Sequence, residues 1–165
     1  MKRTSRTRKK SKYRIWAAII AGVLAVVLVI FFMAMSPMRS AHRQVSDLAE
    51  RYAGIKEESA FYRYDRNKTY YMIAGTNDKK QKIYAIIAKN GKKINIYQQS
   101  EGVSEAKARQ LARQDTSLKK ITHVGLGMYK NKPTWEVSYL NKQDNLCYDL
   151  IDFKSGKVVK TIQNI

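Results

Sequence analysis

The side chains that could carry out chemistry in this 165-residue chain are few and far apart. There is one cysteine, Cys147, and there are two histidines, His42 and His123. A general base or an activated nucleophile needs a positioned partner, and none of the three has a cysteine or histidine close to it in sequence. We therefore interpret both histidines as structural or surface residues, with catalysis as the alternative. Cys147 is predicted to be a buried apolar thiol in a strand.

The one acidic cluster consists of Asp144, Asp149 and Asp152. Paired carboxylates can bind Ca²⁺, but no loop here supplies the several oxygen ligands that this ion takes. We interpret the three as solvated strand residues, with Asp149 on the same strand face as Cys147 and Asp152 on the opposite face, helping to set the last turn. The sequence has no phosphate-binding glycine loop and no zinc-spaced Cys/His set. It therefore predicts no catalytic, metal or cofactor site and a non-enzymatic protein.

Residues 15–35 form a run of 21 uncharged residues, IWAAIIAGVLAVVLVIFFMAM. About 20 apolar residues span a bilayer as a helix, so the run predicts a membrane anchor from Ile15 to Met35. Trp16 fits the aromatic belt at one interface. Residues 1–14 hold eight Lys or Arg and no acid, which predicts a cytoplasmic tail and an extracytoplasmic remainder. The tail is thus a topology signal, and nucleic acid is not an expected partner.

A cleaved signal peptide is the alternative interpretation of this run. The apolar region of a signal peptide usually has about 7–15 residues and ends in small residues. Here the run is longer, and Ala34, Met35 and Ser36 make a poor cleavage site. An uncleaved single-pass anchor is therefore predicted.

The formal net charge of +19 leaves +11 outside the tail, spread along the chain. A soluble basic surface is the simpler explanation. The sharper one is attraction to anionic lipid headgroups or to the anionic polymers of a bacterial wall, which we expect to be weak and salt-sensitive because the charge is dispersed.

Beyond the anchor, the pattern predicts one helix followed by an antiparallel meander. Ser36 as N-cap and Pro37 as first residue begin the helix, which Gly54 closes. Asn90 and Gly91 predict a two-residue hairpin turn. The predicted strands are residues 59–65, 68–75, 82–89 and 92–98.

The same order of elements follows a second time. Ser104 is predicted to cap a second helix, and Ser155 with Gly156 to form the last turn. The predicted strands are residues 119–129, 134–141, 145–153 and 157–162. Three short segments of the first half resemble segments of the second at offsets of 58, 64 and 65 residues. The repeat predicts an α+β protein of two tandem units, residues 36–100 and 101–165, each a helix on an antiparallel sheet of three or four strands.

The eleven tyrosines mostly fall at strand positions, where aromatic rings pack across strands. We expect them to serve the core, with an exposed subset at a partner surface as the alternative. Trp135 is predicted to be largely buried in the second unit.

The second half resembles PepSY-like domains, whose units have a cystatin-like helix-on-sheet form. Residues 103–108 (VSEAKA) resemble the helix opening, 135–139 (WEVSY) the central strand and 152–159 (DFKSGKVV) the final hairpin. The first unit keeps the helix and the turn at Asn90 and Gly91, but it has no tryptophan and no acidic residue before its turn.

A basic tail, one span and two such units together resemble the TseB/YpmB-like proteins of Gram-positive bacteria. The resemblance implies a membrane-anchored regulator of cell-wall elongation that binds a penicillin-binding protein. Membrane lipid would be contacted through the N-terminal helix. Alternatives are an inhibitor or chaperone of a secreted peptidase, as the wider PepSY group suggests, and a basic module that binds anionic wall polymer.

Overall fold

The computed structural model describes residues 7–66 and 68–163, and the side chains of these except for residues 7–12 and 34–37. The chain divides into two compact units, Met1–His42 and Arg43–Ile165, and each is described by itself. The elements are, in chain order, α1 (Thr7–Ala53), β1 (Ile55–Asp65), β2 (Thr69–Asn77), β3 (Lys82–Ala88), β4 (Ile94–Gln98), a 3₁₀ turn (Gln99–Glu101), α2 (Glu105–Ala112), β5 (Leu118–Tyr129), β6 (Lys132–Asn141), β7 (Leu146–Asp152) and β8 (Val158–Ile162).

Helix α1 continues through Ser36 and Pro37, so the predicted helix start at these residues is wrong. A proline removes one backbone donor, and a long helix with strong helical segments on both sides tolerates that loss. The predicted end is confirmed. Gly54 follows the helix with φ +67°, and its N–H donates to the Glu50 carbonyl at 3.0 Å.

The first sheet has the strand order β1-β2-β3-β4, and all its neighbours are antiparallel. Its central strands β2 and β3 are almost wholly apolar and are buried on both faces. The end of α1 lies against this sheet: Leu48 contacts the turn at Gly91, and the Ser46 hydroxyl donates to Glu58 at 2.9 Å. Residues at helical spacing on α1, among them Val45 and Ala49, are buried there.

The second sheet has the order β5-β6-β7-β8, again fully antiparallel. Helix α2 packs on β5 and β6 through Ala108 and Ala112, which are buried. The predicted cap is confirmed, because the Ser104 hydroxyl accepts a hydrogen bond from the Lys107 N–H at 3.2 Å. The chain thus has the predicted α+β class, with an N-terminal apolar helix and two four-stranded antiparallel sheets.

Both sheets contribute to one hydrophobic core. Tyr84 of the first sheet meets the ring of Trp135 edge-on at 5.7 Å and that of Phe153 at 5.9 Å. Tyr97 lies 6.0 Å from Phe153. Trp135 is 0% exposed, as predicted, and its indole N–H donates to the Val103 carbonyl at 2.8 Å. The aromatic rings therefore join the two sheets.

The loops of the two sheets match in detail. In the second hairpin of each sheet an asparagine oxygen, of Asn77 or Asn141, accepts from the N–H groups two and four residues ahead. The left-handed residue is Lys80 (φ 60°) in the first and Asp144 (φ 62°) in the second. These pairs are separated by 64 residues, so one turn geometry occurs twice.

The third hairpins also match, with left-handed glycines at Gly91 (φ +69°) and Gly156 (φ +70°). Ala88 donates to the Lys93 carbonyl at 2.9 Å and so encloses a four-residue loop, which makes the predicted two-residue turn wrong. The turn begins earlier than the Asn-Gly pair suggests, because the Gly91 N–H bonds back to the Ala88 carbonyl at 2.8 Å.

Strand β1 is longer than predicted, beginning at Ile55. Register shifts between Ile55 and Glu57 and between Glu58 and Ala60 interrupt the alternation that sequence patterns rely on. Strand β5 has register shifts at its own start, between Leu118 and Lys120 and between Ile121 and His123.

Candidate functional site

The apolar part of α1 leaves its side chains exposed along its length. Ile15 is 57% exposed and Trp16 is 63% exposed; Met35 lies within the helix, but its side chain is outside the described residues. This is the one described helix long and apolar enough to cross a membrane, and none of its most apolar window is buried. A continuous apolar surface of this size is unfavourable in water and favours insertion into lipid.

The two histidines lie on different elements. His42 lies on α1, in the first compact unit. His123 is exposed on β5, and its ring meets the ring of Tyr62 edge-on at 6.3 Å. An aromatic neighbour positions the imidazole without polarising it, so the surface interpretation of His123 fits its surroundings.

Cys147 is fully buried on β7, opposite Tyr139 of β6. Its sulfur lies 3.7 Å from the Asn145 carbonyl oxygen, so the thiol acts as a weak donor within the sheet. Burial keeps reagents away from it, in agreement with the predicted structural role.

The three clustered aspartates have separate roles. Asp144 is exposed and pairs with Lys119 at 2.7 Å. Asp152 sets the last turn, as predicted, by accepting from the Ser155 N–H and hydroxyl, both at 2.8 Å. Burial raises the pKa of Asp152, but these hydrogen bonds outweigh it, so the net pKa lies below its usual value. Within the described residues no group of three or more His, Cys, Asp or Glu could hold a metal ion.

Asp149 is buried, and its predicted solvation is wrong. It lies on the inner face of β7, where Thr161 of β8 donates a hydrogen bond to it at 2.7 Å. Burial raises the pKa of Asp149, and the negative charge of Asp115 raises it further; the Thr161 hydrogen bond lowers it, but the net pKa lies above its usual value.

Asp115, which the sequence interpretation missed, is half-buried and extends this polar group. It follows α2 and accepts from the Ser117 N–H at 2.8 Å and from the Tyr139 hydroxyl at 3.0 Å. The Ser117 hydrogen bonds lower the pKa of Asp115. Burial and Asp115 together raise the pKa of Tyr139. The group ties the α2–β5 loop to β6, which is a structural task.

Asp115 and Asp149 predict opposite effects of neutralisation on stability. The pKa of Asp115 is lowered, so its charge stabilises the fold above the unfolded-state value of about 3.9, and that stability is lost as pH falls. The pKa of Asp149 is raised, so its contribution is favourable at acid pH and is lost as pH rises through the raised value. We expect Asp115→Asn to lower the thermal midpoint at pH 7.5 and Asp149→Asn to raise it.

The Asp149→Asn difference should shrink towards pH 4, because the raised pKa leaves the wild-type carboxyl protonated there. The Asp115→Asn difference should persist at pH 4, because the lowered pKa keeps Asp115 ionised. The measurement is thermal unfolding of the full chain in detergent micelles between pH 4 and pH 8. In Asp149→Asn the amide oxygen still accepts from Thr161, so the comparison isolates the charge. A lower midpoint for Asp149→Asn at pH 7.5 would contradict the assignment.

Outward-facing side chains suited to a protein partner lie on the outer strands. Strands β4 and β8 each pair on one side only. Ile96 on β4 is 47% exposed, and Val158 and Val159 on β8 are each 50% exposed. Most tyrosines of the strands are buried or half-buried, as predicted, whereas Tyr52 on α1 is exposed.

Comparison with known proteins places a family domain on each sheet. The model for the cell wall elongation regulator TseB-like domain matches residues 46–88, from the end of α1 to β3. The model for PepSY, the peptidase propeptide and YPEB domain, matches residues 102–162, which hold α2 and the second sheet.

A curated relative has the same extent as this chain. The probable cell wall elongation regulator TseB of Bacillus subtilis (strain 168) is 28% identical over 149 residues, which cover 90% of this chain and 92% of that protein. The solved structure of the YpmB protein from Bacillus subtilis superposes with a TM-score of 0.66 at 27% identity, covering 74% of this chain and 96% of that one. The chain therefore carries a TseB-like domain followed by a PepSY domain, and the family resemblance predicted from its sequence motifs is confirmed.

Proposed function

We propose that this protein is a non-enzymatic, single-pass membrane protein that binds and modulates a cell-wall synthesis enzyme, a penicillin-binding protein, and so regulates cell-wall elongation. The observation that carries the proposal is the union in one chain of an exposed apolar helix with a TseB-like and a PepSY domain. A tether confines regulator and enzyme to one thin layer, where a weak interface suffices because the effective concentration is high.

The orientation follows from charge. Eight basic residues and no acidic one precede the apolar run, and such a flank stays in the cytoplasm. Residues 36–165 would then lie outside the cell membrane, beside the wall-building enzymes.

The two sheets are, in this proposal, tandem cystatin-like units of one repeat, residues 36–100 and 101–165. The support is the pair of matched turns at Asn77 and Asn141 and the matched glycines Gly91 and Gly156. Each glycine also lies close to a helix leucine. A Cβ atom added at Gly91 would be 3.3 Å from Leu48, and one added at Gly156 would be 3.3 Å from Leu111. Two copies of one fold give two similar outer strands, β4 and β8, for partners.

Topology and partner are tested separately. A phosphatase reporter that is active only outside the cytoplasm, fused after Ile165, should be active in cells. If it were inactive while a cytoplasmic reporter at the same position was active, the orientation and the cell-wall role would be overturned.

The partner is tested with a photo-crosslinking residue at Ile96 or Val159 in the intact membrane protein. We expect a penicillin-binding protein to be captured from at least one of these positions.

The matched control for crosslinking is Lys79, an exposed polar residue in the β2–β3 turn. Capture of the same protein from Lys79 with equal yield would indicate random collision and would count against the outer strands as the interface.

A second candidate function is inhibition or chaperoning of a secreted peptidase, which the peptidase-propeptide description of the PepSY match favours. Capture of a peptidase in place of a penicillin-binding protein would decide for this alternative.

A further inference from the structure

A basic cleft of about 130 Å³ opens between two hairpins of the unit Arg43–Ile165. One wall comes from Arg66, Lys68 and the start of β2, and the other from the β5–β6 hairpin. The lining residues are Arg66, Lys68, Tyr70, Met128, Tyr129, Lys130 and Asn131. Three of these seven side chains are cationic and none is acidic.

Two of the three cations have no partner of opposite charge. Lys68 and Lys130 are exposed and form no ion pair among the described residues. Lys130 places its ammonium 5.6 Å from the ring centroid of Tyr129, at the edge of the cleft. Because like charges repel one another, an anion is favoured in the cleft that both lysines line.

Arg66 is held rigidly beside these lysines. Its Nε donates to Glu136 at 2.6 Å, and its guanidinium lies 4.0 Å from the ring centroid of Tyr148. Its Nη2 is buried and has no hydrogen-bond partner within the described residues. A buried donor without a partner is unfavourable, and an acceptor that reaches it from the cleft would remove part of that cost. The Tyr64 hydroxyl, two residues away, is also buried and without a partner.

The second wall has an unusual backbone. Lys130 (φ 47°) and Asn131 (φ 62°) are both left-handed and form a two-residue turn between the paired residues Tyr129 and Lys132. Such turns prefer glycine or asparagine at the first central position, where this chain has lysine. Strained backbone is concentrated at functional sites, and here the strain fixes a lysine at the rim of the cleft.

We propose that this cleft binds a phosphate oxyanion, through the guanidinium of Arg66 and the ammonium groups of Lys68 and Lys130. Arginine and lysine are the side chains that proteins use for phosphate, one by directional hydrogen bonds and the other as a point charge. Tyr70 and Tyr129 offer apolar surface to the group that carries the phosphate. A phosphate ester of a wall polymer and the phosphate of a lipid headgroup share this chemistry.

The test uses the full chain in nanodiscs of phosphatidylcholine, titrated with inorganic phosphate and with glycerol 3-phosphate and followed by ³¹P NMR. Lys68→Gln/Lys130→Gln should raise the dissociation constant at least tenfold. Lys79→Gln/Lys142→Gln removes the same charge from exposed positions outside the cleft and should change it less than twofold. The basic tail is common to all variants, so its contribution cancels in the comparison.

Arg66→Lys separates a built site from a general field, because it keeps the charge and removes the guanidinium geometry. We expect Arg66→Lys to weaken phosphate binding at least fivefold. Its thermal midpoint is measured alongside to show that it folds. If it does not fold, the comparison of the cleft and control lysine variants still tests the site. Equal affinity in the cleft and control variants, or no binding by the wild type, would overturn the proposal.

The source of the phosphate is assigned in two further arms. A short glycerol-phosphate oligomer that binds more tightly than the monomer would indicate the polymer. Loss of glycerol 3-phosphate binding when phosphatidylglycerol is added to the nanodisc would indicate the lipid, because the headgroup then occupies the cleft. Either result supports the site if the effect is absent in the Lys68→Gln/Lys130→Gln variant.

Discussion

Trp135→Ala is expected to lower the free energy of unfolding by about 3–5 kcal/mol, the range for removing a large buried aromatic side chain. Trp135 is fully buried between the two sheets, where it meets Tyr84 edge-on and donates to the Val103 carbonyl. Its loss opens a cavity, leaves that carbonyl without its donor and removes a contact that joins the sheets.

The measurement is urea unfolding of the full chain in detergent micelles, followed by far-ultraviolet circular dichroism because the tryptophan signal itself changes. Trp135→Phe keeps a ring against Tyr84 and loses only the indole donor and part of the volume, so it should cost less than the alanine variant. Tyr52→Ala is the matched control, since Tyr52 is 61% exposed, and its effect should stay within about 0.5 kcal/mol. Equal costs for Trp135→Ala and Tyr52→Ala would place Trp135 outside the core.

The individual elements were predictable because their signals are local. Ser104 before an apolar helical face, Gly54 after one, and alternating residues in β6 are patterns within a few residues, and the structure has an element at each. The long apolar helix needed no tertiary information either, since its length and lack of charge are sufficient for the prediction.

What the sequence did not predict depends on contacts between distant residues. The buried position of Asp149 follows from Thr161 and Asp115, which a period-two pattern cannot place beside it. The aromatic contact of Tyr84 with Trp135 joins residues 51 positions apart, so the common core of the two sheets was not foreseen.

The basic cleft was missed for the same reason, since Lys68 and Lys130 are 62 residues apart and look like ordinary surface charge. One missed feature did have a sequence signal. The residues 77–81 (NDKKQ) and 141–145 (NKQDN) both follow a strand and begin with the asparagine that closes the turn. An alignment of the two halves at an offset of 64 would have found it.

Gly127→Ala is the second large effect that we expect, at about 3 kcal/mol, the upper end of what overpacking a core usually costs. A Cβ at Gly127 would lie 2.1 Å from Cγ of Tyr64. Tyr64 is 2% exposed, so its ring has no free space to move into. The contact brings β1 of the first sheet against β5 of the second, and the substitution therefore forces the two strands apart.

Gly125→Ala is the matched control, because Gly125 lies two residues earlier on the same strand and face. A Cβ there would meet His123 Nε2 at 3.2 Å, the end of an exposed side chain that can move, and the Arg63 carbonyl at 3.7 Å. Both variants change strand propensity and unfolded-chain entropy alike, so the difference between them isolates the clash with Tyr64. Thermal and urea unfolding of the full chain measure that difference.

The variant that combines Gly127→Ala with Tyr64→Leu tests the cause. The smaller side chain makes room for the added methyl group, so the double variant should cost less than the sum of the single variants by about 0.5–3 kcal/mol, as for other residues in direct contact. Additive costs, or equal costs for Gly127→Ala and Gly125→Ala, would mean that β1 and β5 do not approach this closely in solution. The contacts of Tyr84 with Trp135 and Phe153 would then be the ones that hold the two sheets together.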